Sequence, residues 1–163
     1  INDISPKLIG VNWDIGSSLA LGETPEVFFN KVQNHIFNIH IKDYKIFKNE
    51  MGIKLVRCPL GEGAVNFKNI FMNISDIDDV PMSIELGAMK ARQCDIFIEK
   101  FWHKYPISIA SKREKFMKFI EKNCLEELDD NWKTCWEKNY SPGEIAKTEL
   151  EEINTSVEFL KSL

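Results

Sequence analysis

Apolar and polar residues alternate in three short stretches of the chain: Leu8–Asp14, Ile36–Ile41 and Val80–Glu85. On a strand, residues two apart face the same way. In the first stretch Ile9, Val11 and Trp13 share one face, and Gly10, Asn12 and Asp14 share the other. In the second, Phe37, Ile39 and Ile41 oppose Asn38 and His40, and in the third Met82 and Ile84 oppose Ser83 and Glu85. Each stretch therefore predicts a strand with an apolar face for helices and a polar face ending in Asp, His or Glu. A helical pattern follows each one. Thr24-Pro25-Glu26 supplies an N-cap, a first-turn proline and an early acid for a helix to about Asn34. Asn66 to Asn73 predicts a shorter helix, and Ala88 to about Trp102 a third. Alternating strands and helices predict a parallel sheet with helical crossovers.

Between the second and third strands, Tyr44-Lys-Ile-Phe and Ile53-Lys-Leu-Val flank Lys48–Gly52, the pattern of a small hairpin. From Ser108 onward the pattern is helical. Ser111-Lys-Arg-Glu114 and Ser141-Pro-Gly-Glu144 both have the form of a capping box. After the second box, Ile145, Leu150, Ile153, Val157 and Leu160 form an apolar stripe, expected to pack on the chain's own domain.

A parallel sheet buried on both sides is apolar on both faces, so three polar faces need another explanation. A closed barrel provides one, because its inward-facing groups at the C-terminal strand ends are where catalysis is placed. A single strand-end Asp is most often a turn residue, and a single His most often an ordinary packed or surface residue. Asp14, His40 and Glu85 in register on three strands instead form a candidate metal site. Two carboxylates and an imidazole suit Mn²⁺, Mg²⁺, Co²⁺ or Zn²⁺ with positions left for substrate. Lys42, Asp43 and Arg57 are candidate substrate contacts, with solvated loop charges as the alternative. Gly61 and Gly63 fit a close backbone approach to a ligand or a tight turn equally well.

Composition narrows this further. The 163 residues allow one sizeable core. Twenty-one Lys and Arg against twenty-five Asp and Glu leave a net charge of −4, which argues against nucleic acid as a partner. No apolar run reaches the roughly 20 residues that span a bilayer, and no signal peptide is evident. Cys58, Cys94, Cys124 and Cys135 form no Cys-x-x-Cys pair and are expected to be reduced thiols, which places the protein in the cytoplasm. The chain opens at Ile1 without a methionine and reads as a piece of something longer.

Four motifs in order carry a family resemblance: Val11-Asn-Trp-Asp14-Ile-Gly-Ser-Ser-Leu-Ala20, Ile39-His40-Ile-Lys42-Asp43, Pro59-Leu-Gly-Glu-Gly63-Ala-Val-Asn-Phe67 and Ser83-Ile-Glu85. Together they resemble the sugar phosphate isomerase/epimerase family, the xylose-isomerase-like (β/α)₈ barrels, over roughly residues 5 to 105. The resemblance implies that residues 1–105 are the C-terminal portion of a TIM barrel, about three parallel strands with their helices. Residues 106–163 would be a helical extension packing on it. It also implies that Asp14, His40 and Glu85 bind one metal, Mn²⁺ first, in an isomerase or epimerase working through an enediolate. Glu85 would then be both ligand and one of two proton-carrying glutamates, the other lying on a strand that this sequence does not contain. The implied partners are a sugar or polyol and either a second copy or the rest of the barrel. A metal-dependent dehydratase of inosose or dehydroshikimate type is the alternative on the same scaffold, and a non-catalytic barrel fragment is another. An endonuclease of the endonuclease IV type fits poorly, since Ser17 stands where a histidine is needed.

Overall fold

Residues 9–74, 79–86, 90–103, 105 and 110–163 are described by a computed structural model. Within them the chain is mixed α/β, built on two sheets. The first is three-stranded and parallel, in the order β1 (Val11–Asp14), β2 (Ile36–Ile41), β5 (Met82–Ile84). The second is mixed, in the order β6 (Arg92–Cys94), β4 (Ile53–Cys58), β3 (Asp43–Lys48), β7 (Cys124–Glu126). Among the described residues the parallel sheet has two open edges and no closed barrel forms.

The connection from β1 to β2 runs through a 3₁₀ segment, Ile15–Leu21, and helix α1 (Pro25–Val32). The Thr24 hydroxyl accepts from the Val27 N–H, so the expected cap is in place. The helix stops two residues short of the expected end and a 3₁₀ turn, Gln33–His35, leads into β2. Trp13, Phe29, Ile36, Ile39 and Ile41 bury the apolar face of the sheet, with Trp13 and Phe29 rings 5.1 Å apart. Phe37 departs from the expected alternation and is half exposed. The ladder shifts between Val11 and Asn12, which puts Ile36 into the core and lays the Phe37 ring against Gly10.

The hairpin of β3 and β4 is antiparallel, as its sequence predicts, and turns at Asn49–Gly52. Its strands are buried at most positions, and Tyr44, Ile46, Ile53 and Leu55 join a second core with Leu19, Trp102, Phe116 and Ile120. The shorter helix expected over Asn66–Asn73 is α2 (Phe67–Asn73), with Asn66 as its N-cap. The third helix is different. Arg92–Cys94 is a strand on the edge of β4, and only Glu99–Trp102 (α3) is helical, with residues 87–89 outside the described set. Edge pairing and the burial of Cys94 and Ile96 override the helical pattern there.

Helix α4 (Ala110–Asn123) is already under way at Ser111, so the first proposed capping box is not an N-cap. The tail is also less helical than its pattern: β7 pairs in parallel with β3, and turns follow it. Helix α5 (Pro142–Lys161) has the second box, both of its hydrogen bonds present. Its packed face differs from the apolar stripe. Leu150 and Ile153 are exposed, whereas Ile145 and Ser156 are buried. Ser156 accepts the Leu60 N–H at 3.0 Å and the Phe159 ring lies 5.8 Å from that of Phe67. No described helix is long and apolar enough to cross a membrane.

Candidate metal centre

Strand register assembles the site. Asp14 and His40 are direct partners on the β1–β2 ladder, and His40 is the partner of Ser83 on β2–β5. Glu85 follows β5 and is tied by its N–H to the Ile41 carbonyl at 2.9 Å. Alternation then turns Asn12, Asp14, Asn38, His40, Ser83 and Glu85 to one face. With no further strand over it among the described residues, that face stays open: Asn12 and Ser83 are exposed, and His40 and Glu85 about one-third so.

One nitrogen sits at the centre. His40 Nδ1 lies 2.9 Å from Asp14 Oδ1 and 2.9 Å from Glu85 Oε2, and Asn12 Nδ2 approaches it at 3.3 Å. A single ring nitrogen cannot serve three neighbours. Glu85 takes the hydrogen bond, and Asp14 Oδ1 is buried without a hydrogen-bond partner. One donor atom from each of Asp14, His40 and Glu85 lies within 4.8 Å of the other two. That is close enough that the three could hold a metal ion between them.

Two cations close the other side. The Lys42 ammonium is 2.6 Å from Glu85 Oε2 and 3.0 Å from Asp14 Oδ2. Arg57, on β4, donates to the Glu85 carbonyl at 2.6 Å and reaches Glu85 Oε1 and the Tyr44 hydroxyl at 3.3 Å. Burial alone would raise the Glu85 pKa. The Lys42 ammonium, then Arg57, then the His40 hydrogen bond outweigh it and hold the carboxyl below the usual range. Ser17 Oγ donates to Asp14 Oδ2 at 3.3 Å, and Asn38 Nδ2 to Asn12 Oδ1 at 2.6 Å.

The sequence-selected residues therefore divide. Asp14, His40, Glu85, Lys42 and Arg57 meet in one cluster. Asp43 does not. Its fully buried carboxylate accepts N–H groups from Tyr44, Gly61, Gly63 and Val65 at 2.8–3.1 Å, leaving it no access to a substrate. Burial raises its pKa, against the lowering by these four donors. The two glycines are explained by the same loop: Gly61 has φ +85° and lies under the Phe159 ring, and a side chain at Gly63 would meet the Asp43 carboxylate. Ser17, Asn38 and Tyr44 were not selected from sequence. Asn38 carried a signal in its place on the polar face of β2, and Ser17 in its place within the motif that follows Asp14. No protein-family model, curated protein or solved structure matches the chain.

Proposed function

We propose that Asp14, His40 and Glu85 hold a divalent metal, Mn²⁺ before Mg²⁺, Co²⁺ or Zn²⁺, in an isomerase or epimerase acting on a sugar or sugar phosphate. On this reading the parallel sheet is the C-terminal portion of a xylose-isomerase-like (β/α)₈ barrel, and activity belongs to the completed barrel of about 250 residues. The observation that carries the reading is the convergence on His40 Nδ1, with Asp14 Oδ1 buried and lacking a hydrogen bond. The residues fit a hard cation in number and donor type. When bound, such an ion supplies Lewis-acid polarisation of vicinal substrate oxygens. Glu85, kept ionised by Lys42 and Arg57, suits the ligand role. Glu85 would also be one of two glutamates that remove and return protons at substrate carbon, the second belonging to the complete barrel.

One feature favours a second reading. Asp14 and Glu85 are already balanced by Lys42 and Arg57, which is what a metal-free binding or assembly module requires. Thermal unfolding with and without millimolar Mn²⁺, for the parent chain and His40→Ala, separates the two. A metal that binds only the folded state raises the melting temperature of the parent and not of the variant. An unshifted parent melt would rule out the metal site. For the complete barrel, deuterium uptake at substrate carbon marks an isomerase or epimerase. A dehydratase instead produces an ultraviolet-absorbing conjugated ketone.

A further inference from the structure

Lys42 is out of place as an ordinary lysine. Its side chain is only 3% exposed, although it leaves the backbone at the junction where β2 passes into β3. Being two residues beyond His40, it continues the polar face of β2. Its ammonium ends between the two carboxylates, 3.0 Å from Asp14 and 2.6 Å from Glu85. A buried ammonium is tolerated only when paired. The dependence is mutual, because two carboxylates this close repel unless a cation lies between them.

We propose that Lys42 is the resident counter-ion of the site. It holds Asp14 and Glu85 at ligand spacing before a metal enters, and its charge limits how tightly a divalent cation is then held. The inference rests on the metal reading above and goes beyond it, because it assigns Lys42 control of metal affinity in place of substrate contact. The physical basis is that ammonium and metal share the same two carboxylates. Glu85 Oε2 touches both Lys42 Nζ and His40 Nδ1, so an ion bound beside His40 lies a few ångströms from a fixed positive charge. Arg57 adds to the effect from the far side of Glu85, although its two contacts there include the backbone carbonyl. Asp14 and Glu85 are thereby half-satisfied before any metal arrives, and a divalent cation bound beside His40 gains correspondingly less from them.

The test is Mn²⁺ binding by the 163-residue chain, followed by the paramagnetic resonance signal of free Mn²⁺. The proteins are the parent, Lys42→Met and Lys42→Arg. Methionine keeps most of the length and removes the charge; arginine keeps the charge and changes the shape. Lys42→Met is expected to bind Mn²⁺ tighter by at least about tenfold, while Lys42→Arg binds no tighter than the parent. Should the methionine variant unfold without metal, Mn²⁺ must restore its cooperative melt. Unchanged or weaker binding in Lys42→Met, with the parent binding normally, overturns the inference and leaves the metal reading standing. So does a variant that Mn²⁺ fails to refold, or an arginine variant tightened as much as the methionine one. Absence of Mn²⁺ binding by the parent and by a folded Lys42→Met removes the metal reading itself.

Discussion

The two sheets meet in the sequence at Lys42, where β2 runs into β3, yet they spend their residues differently. The hairpin sheet has cover on both sides. Tyr44, Ile46, Ile53 and Leu55 face the core built with Trp102 and Phe116. On its other side, Phe47, Val56 and Cys58 line a cavity of about 470 Å³ walled by residues 131–140 and α5. The parallel sheet buries only the Trp13–Ile39 side. Its second face is polar, partly exposed, and carries the cluster. A sheet that needs only one face for stability is free to use the other for chemistry. The hairpin sheet has no such freedom, and what it lends the site is Arg57, which reaches across to Glu85, with the Tyr44 hydroxyl beside it.

Large-to-small substitutions put that difference at risk most directly. Leu55, almost fully buried in the hairpin sheet, is expected to cost about 2–5 kcal/mol on replacement by alanine. His40→Ala on the open face is expected to change metal-free stability by under about 1 kcal/mol, since the imidazole is one-third exposed. Urea unfolding of both variants measures this. Equal losses would mean that the polar face is structural after all.

A smaller effect probes the junction. Asp43→Ala leaves the N–H groups of Tyr44, Gly61, Gly63 and Val65 without their acceptor. Buried orphan donors cost about 1–3 kcal/mol each, but the partly exposed glycines can turn to water, so a net loss of about 2–4 kcal/mol is expected. Mn²⁺ affinity should fall far less than in His40→Ala, because Asp43 has no part in the cluster. Loss of metal binding with a normal melt would instead give Asp43 a direct part in the cluster, beyond the substrate contact expected from the sequence.

That expectation shows where sequence reading stops. Alternation places Asp14, His40 and Glu85 on one face, because a strand's period of two is insensitive to what packs against it. The hairpin and the caps at Thr24 and Ser141 are local and equally readable. Asp43 was legible as a polar residue near the site, but its four partners lie up to 22 positions away and depend on loop closure. Arg92–Cys94 looked helical until β4 offered an edge. Phe37 left its expected face because of a ladder shift that no single strand encodes. In α5 the exposed Leu150 and Ile153 defeated the stripe, because Ser156 and Phe159 seat the helix on the Leu60–Gly61 turn. The difference between the two sheets therefore rests on contacts between elements, while the shared face of Asp14, His40 and Glu85 rests on strand period and register.

The weakest expected effect lies on the far side of the hairpin sheet. Glu152 lines the cavity there, and burial first, then Glu149 and Glu62, raise its pKa against the opposing pull of Arg57 and Lys45. A raised carboxyl contributes stability that is complete below its ordinary value of 4.5 and is lost as pH rises through the folded value. Glu152→Gln should remove that part of the loss. Urea midpoints at about pH 5 and about pH 8 should lie closer together in the variant than in the parent. Some slope will remain, because Asp43 is raised as well and acts with the same sign. Glu85 has the opposite sign: its lowered carboxyl contributes stability present above its ordinary value and lost as pH falls through the folded one. An unchanged difference in Glu152→Gln would mean that the cavity leaves this carboxylate as well solvated as the open face leaves His40, and the contrast between the two sheets would not extend to their charges.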